Sequence, residues 1–185
     1  MCVSATWPLL AWPYREHALN VVNEEPWLRG PMAGVHPLVM PVFFSFEQVR
    51  EDLRKHTAGL SDKQVWTSVA HSSLGFQLKH IAGSVDRITT YLVGQPLDAA
   101  QLAFLKQEAQ PPGTLAELLK LVEHSLNKSQ SQLQSIDPAS LYGARAVGRR
   151  ALPTTVLGLI VHLAEHTQRH LGQAITITKL LRQSG

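Results

Sequence analysis

Val156-Leu-Gly-Leu-Ile-Val-His162-Leu-Ala-Glu165-His166-Thr-Gln-Arg-His170-Leu-Gly172-Gln-Ala-Ile-Thr-Ile-Thr-Lys-Leu-Leu181 is the stretch on which the fold turns. It contains no proline, and apolar and small residues run nearly all the way round it, so it predicts a long, largely buried helix. Thr154 or Thr155 supplies its N-cap. His162, His166 and His170 follow one another at four-residue steps. Each step turns a helix by about 400°, leaving successive histidines about 40° apart on one broad face. One step also rises roughly 6 Å, which lets two imidazoles converge on one ion, whereas the eight-residue step rises roughly 12 Å. With nitrogen-to-metal bonds of about 2.0–2.1 Å, all three do not reach the same ion. One adjacent pair is expected to bind, completed by a ligand from another helix. A lone histidine on a buried helix face is usually hydrogen-bonded packing, but three in register, each needing a polar partner, favour metal or proton chemistry. The order His162-Leu-Ala-Glu165-His166 puts the glutamate in the wrong slot for a zinc-protease helix.

Upstream, three more apolar periodicities appear. Val39, Val42, Phe43, Phe46, Val49 and Leu53 recur at steps of three and four from Leu38 until Gly59 stops them, giving a first helix. Ser61 with Gln64 forms a capping-box pattern for a short turn. Leu74, Leu78, Ile81, Val85, Ile88 and Leu92 then mark a second helix that carries His80 and ends before Gly94 and Pro96. A polar, Pro-containing stretch near Pro111 to Gly113 precedes the capping box Thr114-x-x-Glu117. Leu115, Leu118, Leu119, Val122 and Leu126 follow in a third helix running to about Ile136, where Asp137-Pro138 breaks it. Residues 139–153 show no helical period and read as a long connection across one end. Four long helices with one long crossover predict an all-α, four-helix bundle over residues 36–185. Residues 1–35, rich in Pro and Trp, read as an N-terminal arm, partly extended or disordered.

At 185 residues one domain is expected. The net charge of +3 is scattered, with no run of Lys or Arg longer than two and no interleaved aromatics, so nucleic acid is not an expected partner. The single cysteine, Cys2, excludes an internal disulfide and points to a reducing, cytoplasmic setting. The uncharged opening residues lack a basic leader and contain Pro8 and Pro13, against a signal peptide. The uncharged run from Pro31 to Phe46, broken by His36, Pro37 and Pro41, is shorter than the roughly 20 residues a spanning helix needs. No membrane partner is expected.

Two segments resemble the DinB superfamily of metalloenzymes. Gly75-Phe-Gln-Leu-Lys-His80-Ile-Ala-Gly-Ser-Val-Asp86-Arg87 is similar to the helix-two motif in which one histidine before Ile-Ala-Gly supplies a ligand. Leu163-Ala-Glu-His166-Thr-Gln-Arg-His170-Leu-Gly172-Gln173 is similar to the last-helix motif in which two histidines precede a Gly-Gln pair. The similarity spans Trp27 to Arg182. It implies a DinB/YfiT-like bundle binding one divalent metal through His80, His166 and His170. It thus selects the second of the two adjacent pairs, between which spacing does not decide. His162 is then expected to line the pocket or orient a ligand, with plain packing an equal alternative. His36 is expected near the cavity, while His17, His56, His71 and His124 carry no assigned chemistry.

Three neutral imidazoles leave coordination positions open, as in catalytic sites. Imidazole suits zinc, nickel, copper and iron, and the pattern does not choose among zinc, nickel, iron and manganese. The resemblance implies a thiol-dependent S-transferase or detoxification enzyme acting on a small-molecule substrate, in which the metal activates an external low-molecular-weight thiol such as mycothiol or bacillithiol. The alternatives are a hydrolase using metal-activated water and a non-enzymatic metal-binding stress-response protein closed by a fourth ligand. A homodimer is also expected.

Overall fold

The computed structural model describes residues 24–183; the N-terminal arm as far as residue 23, with Cys2 and His17, lies outside the described residues, as do residues 184 and 185. The described elements are helical apart from one small hairpin. In chain order they are α1 (Met40–Thr57), α2 (Asp62–Val65), α3 (Leu74–Leu92), α4 (Ala99–Gln107), α5 (Leu115–Gln134), β1 (Ala144–Val147), β2 (Leu152–Thr155) and α6 (Val156–Gln183). Among the described residues no helix is long and apolar enough to cross a membrane.

The four long helices surround one core. α1 packs on α6, α6 on α3 and α3 on α5, and a lighter contact links α5 back to α1. Buried stripes come from all four: Val42, Phe43, Phe46, Val49 and Leu53 of α1; Leu74, Leu78, Ile81 and Val85 of α3; Leu118, Val122, Leu126 and Leu133 of α5; and Leu159, Ile160, Leu163 and Leu171 of α6. Phe46 is fully buried among them. Phe46→Ala is expected to cost about 3–5 kcal/mol of unfolding free energy, read as a lower midpoint in denaturant titration with an unchanged slope.

Local chemistry sets the boundaries. α1 begins at Met40-Pro41, where proline sits without a missing hydrogen bond. The capping boxes at Ser61/Gln64 and Thr114/Glu117 both form. α3 is capped by Ser73, whose hydroxyl accepts from the Phe76 amide at 3.1 Å. For α6 the choice between two threonines falls on Thr155, which accepts from the Gly158 amide at 3.0 Å.

Three features differ from the sequence expectation. α6 is buried on one face only, with Val161 59% exposed and His162, Glu165 and Arg169 turned outward. Residues 139–153 do connect α5 to α6, but the connection carries a hairpin that was not expected: β1 and β2 pair antiparallel, with Ala144 opposite Thr155 and Val147 opposite Leu152. The Arg145 guanidinium donates to the Leu92 carbonyl at 2.7 Å, fastening that hairpin to the last turn of α3. α4 is the third, a helix opened by an Asp98/Gln101 capping box. The described end of the arm also forms turns and a short 3-10 helix (Pro26–Leu28), held to α1 by Arg29 donating to both oxygens of Glu51.

Candidate metal centre

His80 comes from the middle of α3, and His166 and His170 come from consecutive turns of α6, the helix α3 packs against. One ligating atom from each lies within 4.8 Å of the others. Ring centroids are 5.2 Å apart for His80 and His166, 4.2 Å for His80 and His170, and 4.6 Å for His166 and His170. The three are half-buried, so the cluster is partly open to solvent. Phe76, one turn before His80, stacks on its ring at 5.4 Å.

The far nitrogens of two rings are held from behind. His80 Nδ1 lies 2.7 Å from Glu108 Oε2, and His170 Nδ1 lies 2.8 Å from Gln77 Oε1. A carboxylate or amide oxygen only accepts, so each Nδ1 carries the proton and each Nε2 presents a lone pair. The His80 Nε2 stands 3.1 Å from the His166 Nε2. On His166 the Nδ1 is buried and has no hydrogen-bond partner among the described residues. Such an orphaned atom costs on the order of 1–3 kcal/mol. Convergent imidazole lone pairs and an unsatisfied ring nitrogen in one cluster are the donor set of a borderline-soft divalent cation, so these residues fit a metal.

Electrostatics point the same way. Burial, then the charge of His80, lowers the His166 pKa to about 4, and the same causes in the same order lower that of His170 to about 4. Both rings are therefore neutral at pH 7, the form that coordinates.

The remaining histidines stay outside the cluster. His162 is exposed one turn before His166, its ring 5.2 Å away and its Nδ1 3.4 Å from Glu165. It borders the centre without joining it. His36 does not reach the centre: it sits in the turn before α1, its Nδ1 accepting from the Leu38 amide at 3.2 Å. His71 and His124 are exposed, and His56 is half-buried near the end of α1. An open cleft of about 540 Å³ between the end of α3 and the hairpin, lined by Tyr91, Arg145 and Arg149 among others, shares no residue with the cluster.

Three residues that support the centre escape sequence reasoning. Gln77 and Arg87 lie three before and seven after His80, on its own helix face, and both are buried polar groups in an apolar stripe that need partners. That spacing is a usable signal. Glu108, just past α4, has no periodic or motif signal at all, yet it is 2% exposed and joins His80 to the Arg87 guanidinium, 2.6 Å from its Oε1.

Fold and site together define a mostly helical protein with a three-histidine group able to hold a metal ion. A profile of the DinB superfamily matches residues 45–174, more than half of the chain, and includes both motifs and all three histidines. The protein belongs to the DinB superfamily. No curated protein is significantly similar to the chain.

Proposed function

We propose that the four long helices form a DinB-like bundle holding one divalent transition metal through His80, His166 and His170, and that the protein is a thiol-dependent S-transferase acting on a small electrophile. The observation that carries this reading is the donor set: three imidazoles and, among the described residues, no fourth metal-binding group within the cluster. Glu108 contacts the far nitrogen of His80, so it backs a ligand and does not close the site. Open coordination positions favour catalysis over a purely structural ion. When bound, such an ion supplies a Lewis acid able to hold an external thiol as its thiolate at neutral pH.

The chain's own residues have distinct parts in this reading. Gln77 and Glu108 orient His170 and His80. Phe76 covers one face of the His80 ring and limits water there. His162 stands at the rim as a polar group available to an incoming substrate. In this reading the thiol is an external, low-molecular-weight one.

The test is metal analysis of protein purified without an affinity column, then a panel of low-molecular-weight thiols against electrophilic substrates. Turnover that requires both metal and thiol, and vanishes in His166→Ala, is expected. Turnover of esters or amides without thiol would replace this reading with a metal-dependent hydrolase.

A further inference from the structure

α4 is an unusual element of this fold because none of its side chains is fully buried, and its half-buried Phe104 ring lies against Gly83 of α3. Polar ties at its two ends add to that contact. At the start, the Gln101 amide donates to Asp86 at 2.5 Å and to Thr90 at 2.8 Å, and Asp86 also receives Lys128 at 2.7 Å. At the end, Glu108 turns into the interior and bridges His80 and Arg87. Beyond it, Lys79 donates to the Gln110 carbonyl and the Trp66 indole donates to the Gly113 carbonyl at 2.8 Å, fixing the chain as it leaves. α3 is shaped to receive this carboxylate: a Cβ on Gly83 would sit 2.6 Å from the Arg87 guanidinium and clash with Glu108 itself.

We infer that Glu108 is a positioning residue for the metal centre, so that docking of α4 on α3 and metal binding at His80, His166 and His170 are one linked equilibrium. The inference rests on the metal reading of the three histidines. By accepting the Nδ1 proton, Glu108 holds His80 in the tautomer whose Nε2 lone pair faces the other rings, and a carboxylate behind an imidazole raises its strength as a ligand. Arg87 occupies the second oxygen, so the carboxylate is fixed in direction and is not a buried charge without a partner. Because coupling is reciprocal, whatever factor the docked carboxylate adds to metal affinity, bound metal adds to the docking of α4.

The experiment uses zinc alone on the full chain, comparing wild type with Glu108→Met and with the double variant Glu108→Met/Arg87→Met, because a Gln at 108 would keep an oxygen able to accept the Nδ1 proton. The double variant removes both members of the buried ion pair and so avoids leaving Arg87 unpaired. Zinc affinity is expected to fall 10- to 100-fold in both variants, the range typical of lost outer-shell partners. In metal-free protein, long-range nitrogen–proton NMR is expected to show His80 with its proton on Nδ1 in wild type and shifted toward Nε2 in the variants, a change that a purely structural role for Glu108 would not produce. Zinc is also expected to slow amide exchange across α4 in wild type and not in the variants. Zinc affinity within about threefold of wild type in the double variant, or an unchanged His80 tautomer there, overturns the inference. A wild-type protein that binds no zinc overturns the metal reading itself and the inference with it.

Discussion

His166→Ala is expected to lower metal occupancy by at least the 10- to 100-fold that even outer-shell changes cost, while the metal-free protein melts close to wild type. The second half follows from the orphaned nitrogen. In metal-free protein the His166 Nδ1 is buried without a partner, a burden of the same order as the packing lost on truncation. Removing the ring relieves the one and forfeits the other. The stabilisation that metal lends to the native state, which grows with the ratio of free metal to its dissociation constant, is then what disappears. His162→Ala is expected to retain the metal, because that ring is exposed and outside the convergent group. Paired metal analysis and calorimetric melting check both. Equal metal loss from His162→Ala, with retention in His170→Ala, would move the site one turn along α6.

The histidines were legible in the sequence for a physical reason: α-helical geometry converts a four-residue step into a shared face, and imidazoles on that face need partners. Spacing left the choice between the pairs His162/His166 and His166/His170 open. The structure places His170 beside His80 and leaves His162 in solvent at the rim. The long stripes of α1, α3 and α5 were equally plain, because each buries enough apolar surface to impose its period. α4 left no such trace. A nine-residue helix with no buried side chain has no reason to show an apolar period, and its one local signal is the cap Asp98-x-x-Gln101. The hairpin at 144–155 was hidden similarly, since its strands are four residues each and none of those residues is buried. Glu108 owes its place to a three-dimensional meeting with Arg87 and His80, 21 and 28 positions away, which no local pattern encodes. The apparent all-round apolarity of α6 misled because Val161 is simply exposed, as single surface hydrophobics often are.

Zinc affinity is expected to survive acidification to about pH 5 far better than an ordinary set of three imidazoles would allow. An imidazole of pKa near 6.5 is mostly protonated at pH 5, and protons must leave before it ligates, at a cost of about 30-fold in affinity for each ligand. Three such ligands would lose roughly four to five orders of magnitude between pH 7 and pH 5, the steep loss that the residue types alone suggest. Burial and the nearby His80 charge instead hold His166 and His170 at about 4, so these two rings exact almost nothing at pH 5 and begin to compete near pH 4. Proton competition at His166 and His170 therefore adds almost nothing to the fall by pH 5. The metal-free protein is expected to behave in the opposite manner. Between pH 6.5 and 4 the unfolded chain binds protons on these two residues that the native state does not, so stability is fully present above about pH 6.5 and declines as pH falls toward 4. Competition titrations with zinc at pH 7, 5.5 and 4.5, beside melting curves in chelator at the same values, separate the two effects. A thousandfold or greater loss of zinc affinity by pH 5, or a chelated protein that grows more stable on acidification from pH 6.5, would show that His166 and His170 are not the buried, neutral pair described here.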